Sequence, residues 1–331
     1  MKPKRVLCIN DCYPQLSETY IETEAWALYH NGYDLKFLSR QNPDLPSKNH
    51  FPVTVVRSLQ QLKSEVESFA PDIIHGHRLF EADILCKAAQ IADRKFTVRS
   101  HSYDVVGANA QVSKFITHLN SPFCLGVLCF PFAVDILSKA GVNPDRIYPC
   151  WPVVDRLRFL DKTQNGNGVM NVGACIPKKS MEDFIALALA APGPPYRLYA
   201  IGYGSEDIER ANHNAGGPVE MVPPVELVEM PAEYKRHRWL VYTGSVSIAS
   251  IGWPMAVAEA QASGVGVCMR NLRPDLKEYV GPGFLFDTIE DVVKIIRKPF
   301  SEDLRQQGFE HSRKSDIRSH IKILEDLWAN G

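Results

Sequence analysis

"DKTQNGNGVMNVGA", residues 161–174, stays polar and glycine-bearing for eight residues and then becomes a short apolar run. The polar part reads as a linker and the apolar part as a buried strand. On either side of it the same alternation of short strands and helices appears. Upstream, "RVLCIN" (5–10) suits a buried strand, and "TYIETEAWALYHNG" (19–32) has helical spacing with Gly32 as its stop. "DLKFLSR", "VTVVRS", "DIIHGH", "KFTVRSHS", "CLGVLCF" and "RIYPCWPVV" supply further strands, with helices such as "SLQQLKSEVESFA" and "EADILCKAAQIAD" between them. Downstream the order is "VMNVGA", a helix over 178–190, "RLYAIGYG", a helix from Ser205, "VEMVPP", "RWLVYT", a helix over 254–263 and "GVGVCMR". The tail, about 288–329, reads as helical throughout. Short buried strands alternating with helices imply parallel sheets. The expectation is an α/β chain of two Rossmann-like, doubly wound domains, 1–160 and 161–310, facing a cleft across a hinge. A C-terminal helix, 311–331, would cross back to the first domain.

Length and composition agree. At 331 residues the chain exceeds the ~250–300 at which one core stops growing. Hydrophobic residues make up 45%, charged residues 23%, and the net charge is −1. No global field attracts nucleic acid, which is not an expected partner. The eight cysteines (Cys8, Cys12, Cys86, Cys124, Cys129, Cys150, Cys175 and Cys268) form no C-x-x-C pair and read as buried free thiols of a reducing compartment. The N-terminus shows no signal-peptide pattern and no apolar run approaches ~18–20 residues, so a soluble cytoplasmic location is expected.

Ligands of doubly wound sheets bind beyond the C-terminal strand ends. Candidate groups are therefore the polar residues just after strands. His75 and His77 are expected on opposite faces of their strand, unable to chelate one ion together. His101, followed by Ser102, Tyr103 and Asp104, reads either as a ligand contact or as a structural hydrogen-bonding residue. No D-x-D, H-E-x-x-H or cysteine cluster exists, so no metal site is expected. "GYGSED" contains a G-x-G turn without a full dinucleotide fingerprint. "IPKKSMEDF" places Lys178 and Lys179 at a helix start, a mild cost against the dipole that an anion would reverse. In "SIGWPMAVAEAQASGVGV" (250–267), Glu259 is the one charge in an apolar helix that begins at Pro254 and ends before Gly264. Burying a carboxylate costs several kcal/mol, roughly, so Glu259 either reaches solvent or serves a ligand.

These residues carry a resemblance. "YPQLSETYIETEAWALYHNGYDL" (13–35), "PDIIHGHRLFEA", "VRSHSYDV", "NVGACIPKKSMEDFI", "LYAIGYGSE" and "GWPMAVAEAQASGVGV" resemble, in order, blocks of the family 4 glycosyltransferases of the GT-B fold, of the exopolysaccharide type. The resemblance implies transfer, with retention and without a metal or other cofactor, from a UDP- or GDP-linked sugar to a saccharide or lipid-linked acceptor. A lipid-linked acceptor would go with peripheral membrane association. It implies that Glu259 binds the ribose hydroxyls, that Lys179 neutralises the diphosphate and that His101 lies near the transferred sugar. Further donor contacts are implied at Gly173, Lys178, Gly202 and Gly204, at Pro224 and Val225 beside the base, and at Gly252, Trp253, Pro254 and Met255. Phosphate and acceptor contacts are implied at Leu16, Ser17, Glu18, Thr19, His77 and Asp104. Two departures stand out: Ile251 where the first glutamate of E-x7-E stands in the family, and Ala174 where an arginine is common. They motivate the alternative of a catalytically silent nucleotide- or glycan-binding protein.

Overall fold

A computed structural model of the chain describes residues 4–15, 17–42, 50–107, 110–202, 204–248 and 250–330. It divides into two compact units. One takes the chain up to Val153 and again from Ile317; the other is Val154–Asp316.

The first unit is built on seven parallel strands: β1 (Arg5–Asn10), β2 (Asp34–Ser39), β3 (Val53–Val55), β4 (Ile73–His77), β5 (Lys95–Arg99), β6 (Cys124–Cys129) and β7 (Ile147–Pro149). Their order is β3-β2-β1-β4-β5-β6-β7. Period-2 alternation sends β1 side chains to two cores. Leu7 and Ile9 pack with Leu85 and Val98 on one face. Val6 and Cys8 pack on the other with Ile21 and Leu28 of helix Thr19–His30, and with Ile321, Leu324 and Trp328 of helix Ile317–Asn330. The last helix thus completes the core of the unit that begins the chain.

The second unit repeats the plan with six strands, β8 (Gly168–Ala174), β9 (Tyr196–Ile201), β10 (Glu220–Val222), β11 (His237–Tyr242), β12 (Gly266–Arg270) and β13 (Phe284–Phe286), in the order β10-β9-β8-β11-β12-β13. Its core joins Val169, Leu198, Val241 and Cys268 to Phe184 and Leu187 of helix Met181–Ala190. In both sheets the winding reverses beside the first strand, between β1 and β4 and between β8 and β11. In sheets wound this way, ligands bind outside the carboxyl ends of the strands at such switch points.

The polar stretch 161–167 is fastened to the second unit. Asn165 Nδ2 donates to the carbonyls of His237 and Ser263 at 3.1 and 3.2 Å, and Lys235 Nζ reaches Asn165 Oδ1 at 3.0 Å. The chain passes between the units seven residues before the expected boundary, because helix Arg156–Phe159 is held by Arg156, which donates to Ser312 Oγ (3.0 Å) and the Phe309 carbonyl (2.9 Å). No helix among the described residues is long and apolar enough to cross a membrane, and all eight cysteines are free and buried.

Candidate functional site

At the β8/β11 switch point of the second unit, Gly173 adopts φ +141°, and a Cβ there would lie 2.0 Å from Lys179 Nζ. Glycine is what allows the lysine ammonium to lie over the end of β8. Lys178 and Lys179 do not open the α-helix as expected. They lie in a 3-10 turn, Pro177–Lys179, and the helix begins at Met181 after Ser180 takes a left-handed conformation at φ +43°. The turn is clamped from β11: Thr243 Oγ1 donates to the Lys179 carbonyl (2.7 Å) and Ser245 N to the Lys178 carbonyl (2.9 Å). Asn171 Nδ2 in turn donates to Thr243 Oγ1 (2.9 Å). Burial, and then its neighbour Lys179, lower the Lys178 pKa. Lys179 Nζ stands 5.3 Å from the centre of the Tyr242 ring.

The glycine turn after β9 comes to the same place. Gly204, at φ +81°, approaches the Cys175 carbonyl so closely that a Cβ would lie 2.0 Å from its oxygen, whereas Gly202 faces open space. Pro224, exposed, and Val225, half-buried, follow the edge strand β10, two strands from β8.

Glu259 lies in helix Met255–Ala262, which starts one residue later than expected. Pro254 occupies the cap position and no side chain caps the first turn. Gly252 and Trp253 are buried ahead of it, Pro254 and Met255 half-buried. Trp253 stacks on Tyr279 (4.8 Å, 8°) and donates from Nε1 to Asp275 Oδ2 (2.8 Å), while the Tyr279 hydroxyl donates to the Pro254 carbonyl. Glu259 is 8% exposed, and among the described residues its hydrogen-bond partner is Tyr234, whose hydroxyl donates to Oε2 at 2.8 Å. Burial pushes its carboxyl up to about 7, although the Tyr234 bond and the Arg158 charge pull the other way. Lys179 thus lies over the Tyr242 ring at the end of β11, and Glu259, with Tyr234 on it, lies in the helix that follows that strand. Tyr234 and Tyr242 carried no signal in the sequence: the first stands in a charged segment, "AEYKRHR", and the second ends an apolar strand, "RWLVY", that reads as core. Ile251 is 3% exposed and packed near Gly244, so its position offers a ligand no charge.

At the β1/β4 switch point of the first unit a polar cluster is buried. His75 and His77 share one face of β4, contrary to the expectation of opposite faces. Residues two apart on a strand point the same way, and Gly76 between them faces Leu85 on the other side. Both rings meet Glu24 of helix Thr19–His30: His75 Nε2 at 2.7 Å and His77 Nε2 at 3.2 Å from Oε1. Arg99 Nε donates to Glu24 Oε2 at 2.9 Å. Burial opposes ionisation of Glu24, but Arg99 foremost, then His75 and His77, hold its pKa well below the usual range. His75 Nδ1 lies 2.8 Å from Thr97 Oγ1, which accepts from Trp328 Nε1 of the last helix at 3.1 Å. One donor atom each from Glu24, His75 and His77 falls within 4.8 Å of the other two, a spacing that fits a cation. Each ring already meets the carboxylate in a hydrogen bond, and the Arg99 charge sits on the same group. The trio reads as a hydrogen-bonded centre. Glu24 has the same signature as Glu259, a carboxylate on the apolar stripe Ile21–Ala25–Leu28.

His77 Nδ1 lies 3.2 Å from His101 Nε2, and Tyr20 covers His101 with ring centres 4.2 Å apart. Asp104 turns inward: Oδ2 accepts from the backbone N–H of His101 (2.8 Å) and Leu79 (3.0 Å), and burial pushes its carboxyl up to about 7. Glu18 is buried and ion-paired with Arg78, which sits at φ +79°. Thr19 begins its helix, Ser17 is exposed, and Leu16 lies outside the described residues. Asn10 Oδ1 accepts from His77 N (3.2 Å), leaving Asn10 Nδ2 without a partner among the described residues; Ser100 Oγ, Asp104 Oδ1 and Arg78 Nε are likewise buried and unmatched. Buried polar atoms are nearly always paired, so these atoms at the ends of β1, β4 and β5 are left to bond water or a polar ligand.

No protein-family model and no curated protein matches the chain. Solved structures do. HepE of Anabaena in complex with UDP-glucose superposes with a TM-score of 0.79 at 13% identity, over 98% of this chain and all (100%) of that one. A glycosyltransferase from Rickettsia africae gives 0.72 at 14% identity over 100% of both chains, and sucrose-phosphate synthase of Thermosynechococcus elongatus 0.71 at 15% over 99% and 100%. The fold of this chain, two Rossmann-like units each wound about a parallel sheet, is accordingly the GT-B fold of these glycosyltransferases.

Proposed function

We propose that the chain is a retaining glycosyltransferase that moves a sugar from a nucleoside diphosphate sugar to a saccharide or other hydroxyl acceptor, without a metal. One observation carries this reading: Glu259 is buried against a single tyrosine hydroxyl in the helix that follows β11, and the Lys179 ammonium lies over the end of β8, the strand beside β11. A carboxylate with unused acceptor capacity suits the paired hydroxyls of a ribose, and a lysine beside an uncapped helix start suits a diphosphate. HepE, of the same fold, has been solved with UDP-glucose, which favours UDP over GDP as the donor base.

In the step proposed, the bond from the anomeric carbon to the diphosphate oxygen breaks and the acceptor oxygen bonds on the same face. The acceptor proton passes to the released diphosphate, whose growing charge Lys179 and the amides at Met255 stabilise. Neutral His101 orients the sugar. The unmatched Asn10 Nδ2, Ser100 Oγ and Asp104 Oδ1 of the first unit take acceptor hydroxyls. Cytoplasmic location and a lipid-linked acceptor at a membrane surface belong to the same proposal. The test is donor consumption with a panel of UDP- and GDP-sugars and saccharide acceptors, alongside Glu259→Ala and Lys179→Ala. Loss of transfer in both variants supports the reading, and turnover like the parent in either contradicts it.

The silent-binder reading is favoured by the burial of Ile251 and by Ala174, which remove two charged groups from the donor side. Nucleotide binding without turnover or donor hydrolysis would decide for it.

A further inference from the structure

The buried centre of the first unit ends on a histidine, and its proton positions follow from the donors and acceptors present. Glu24, ionised beside Arg99, can only accept. His77 Nε2, 3.2 Å from Glu24 Oε1, therefore carries the proton of that contact. A neutral imidazole has one N–H, so His77 Nδ1 is a bare lone pair. It faces His101 Nε2 at 3.2 Å, and a lone pair requires a donor opposite it. Burial foremost pushes His77 down to about 4 and His101 well below its usual range, so neither ring is charged at neutral pH. The direction of the chain is set at its far end, where an arginine fixes a carboxylate, and it is transmitted through His77. Tyr20 tilted over His101 at 4.2 Å, the stacking of the two imidazoles on each other, and Asn10 Oδ1 accepting from the His77 backbone N–H hold the residues in that register.

We propose that Glu24 and His77 are positioning residues that hold His101 as one tautomer, with its proton on Nε2 and Nδ1 left as a hydrogen-bond acceptor. This deepens the transferase reading, on which its functional part rests. With Nε2–H directed at His77 and Nδ1 accepting from the Asp104 backbone N–H in a capping box, a His101 so held does not donate a proton in the transfer.

The test separates the inference from the reading beneath it. Nitrogen-15 spectra of the histidine side chains in the full chain, without any sugar, report which ring nitrogen of His101 is protonated. A single Nε2–H tautomer is expected in the parent. His77→Asn, whose side-chain oxygen stands near the place of Nδ1, is expected to retain it. His77→Leu, which removes the acceptor, is expected to give a mixture of tautomers, with transfer falling further than in His77→Asn. A His101 protonated on Nδ1 in the parent, or a tautomer unchanged in His77→Leu, overturns the proposal. The parent spectrum alone can do so if the leucine variant does not fold. If the spectra are as expected and no donor is ever consumed, the tautomer assignment stands and the transferase reading fails.

Discussion

Each unit buries a glutamate on a helix, and the two are treated in opposite ways. Glu24 is 1% exposed and receives an arginine and two histidines. Glu259 is 8% exposed and receives one tyrosine hydroxyl. The consequence is a carboxyl held well below its ordinary range in the first unit and one pushed up to about 7 in the second. A buried charge whose partners are all supplied by the chain is part of the structure. One left with a single neutral partner is held ready for something the chain does not provide. The difference singles out Glu259 as the place to test the proposed nucleotide.

The sharpest break of the comparison is Glu24→Ala. It leaves the Arg99 guanidinium buried without its counter-charge and is expected to cost about 3–5 kcal/mol, read as an earlier denaturant transition of the first unit. Lys179→Ala comes next: about 10²–10³ in transfer rate at saturating donor, with stability little changed, as measured by initial rates and thermal melting. Glu259→Gln is expected to keep the Tyr234 contact and to be more stable than the parent at pH 8. Because the folded pKa of Glu259 is raised from an ordinary 4.5 to about 7, its favourable state is the protonated one, fully present below 4.5 and lost as pH rises through about 7. The gap between variant and parent should open from nothing near pH 4 to at most roughly 3 kcal/mol at pH 8. A gap that instead closed with rising pH would contradict the raised pKa. The smallest effect is on binding: ribose hydroxyls donate to the ionised carboxylate, so nucleotide affinity should rise between pH 6 and 8, by about tenfold at most.

Much of this was legible in the chain. The strands were, because parallel strands buried on both faces read as short apolar runs, as in "RVLCIN" and "RWLVYT". The strand Phe284–Phe286 escaped, closely flanked as it is by the turn residues Gly281, Pro282, Gly283 and Asp287. Glu259 stood out as a lone charge in an apolar helix. Glu24 did not, although it lies on the buried stripe of its own helix, because Glu22 and the helix ends make that segment amphipathic. The histidine pair was misjudged by parity, since a spacing of two on a strand is one face. The lysine turn was not legible at all: its geometry depends on Ser180 taking positive φ, and serine does not announce that conformation. The tyrosines beside Lys179 and Glu259, Tyr242 and Tyr234, come from separate elements, and only the fold puts each beside its partner.

The most direct test of the account is a calorimetric titration of UDP into the parent and into Glu259→Gln at pH 8. The account predicts saturable binding to the parent, stronger than that of GDP, and a loss of at least tenfold in the variant, since a bidentate contact to a charged acceptor contributes about 1.5–3 kcal/mol. Absence of heat with any nucleoside diphosphate, or equal affinity in the two proteins, would contradict it.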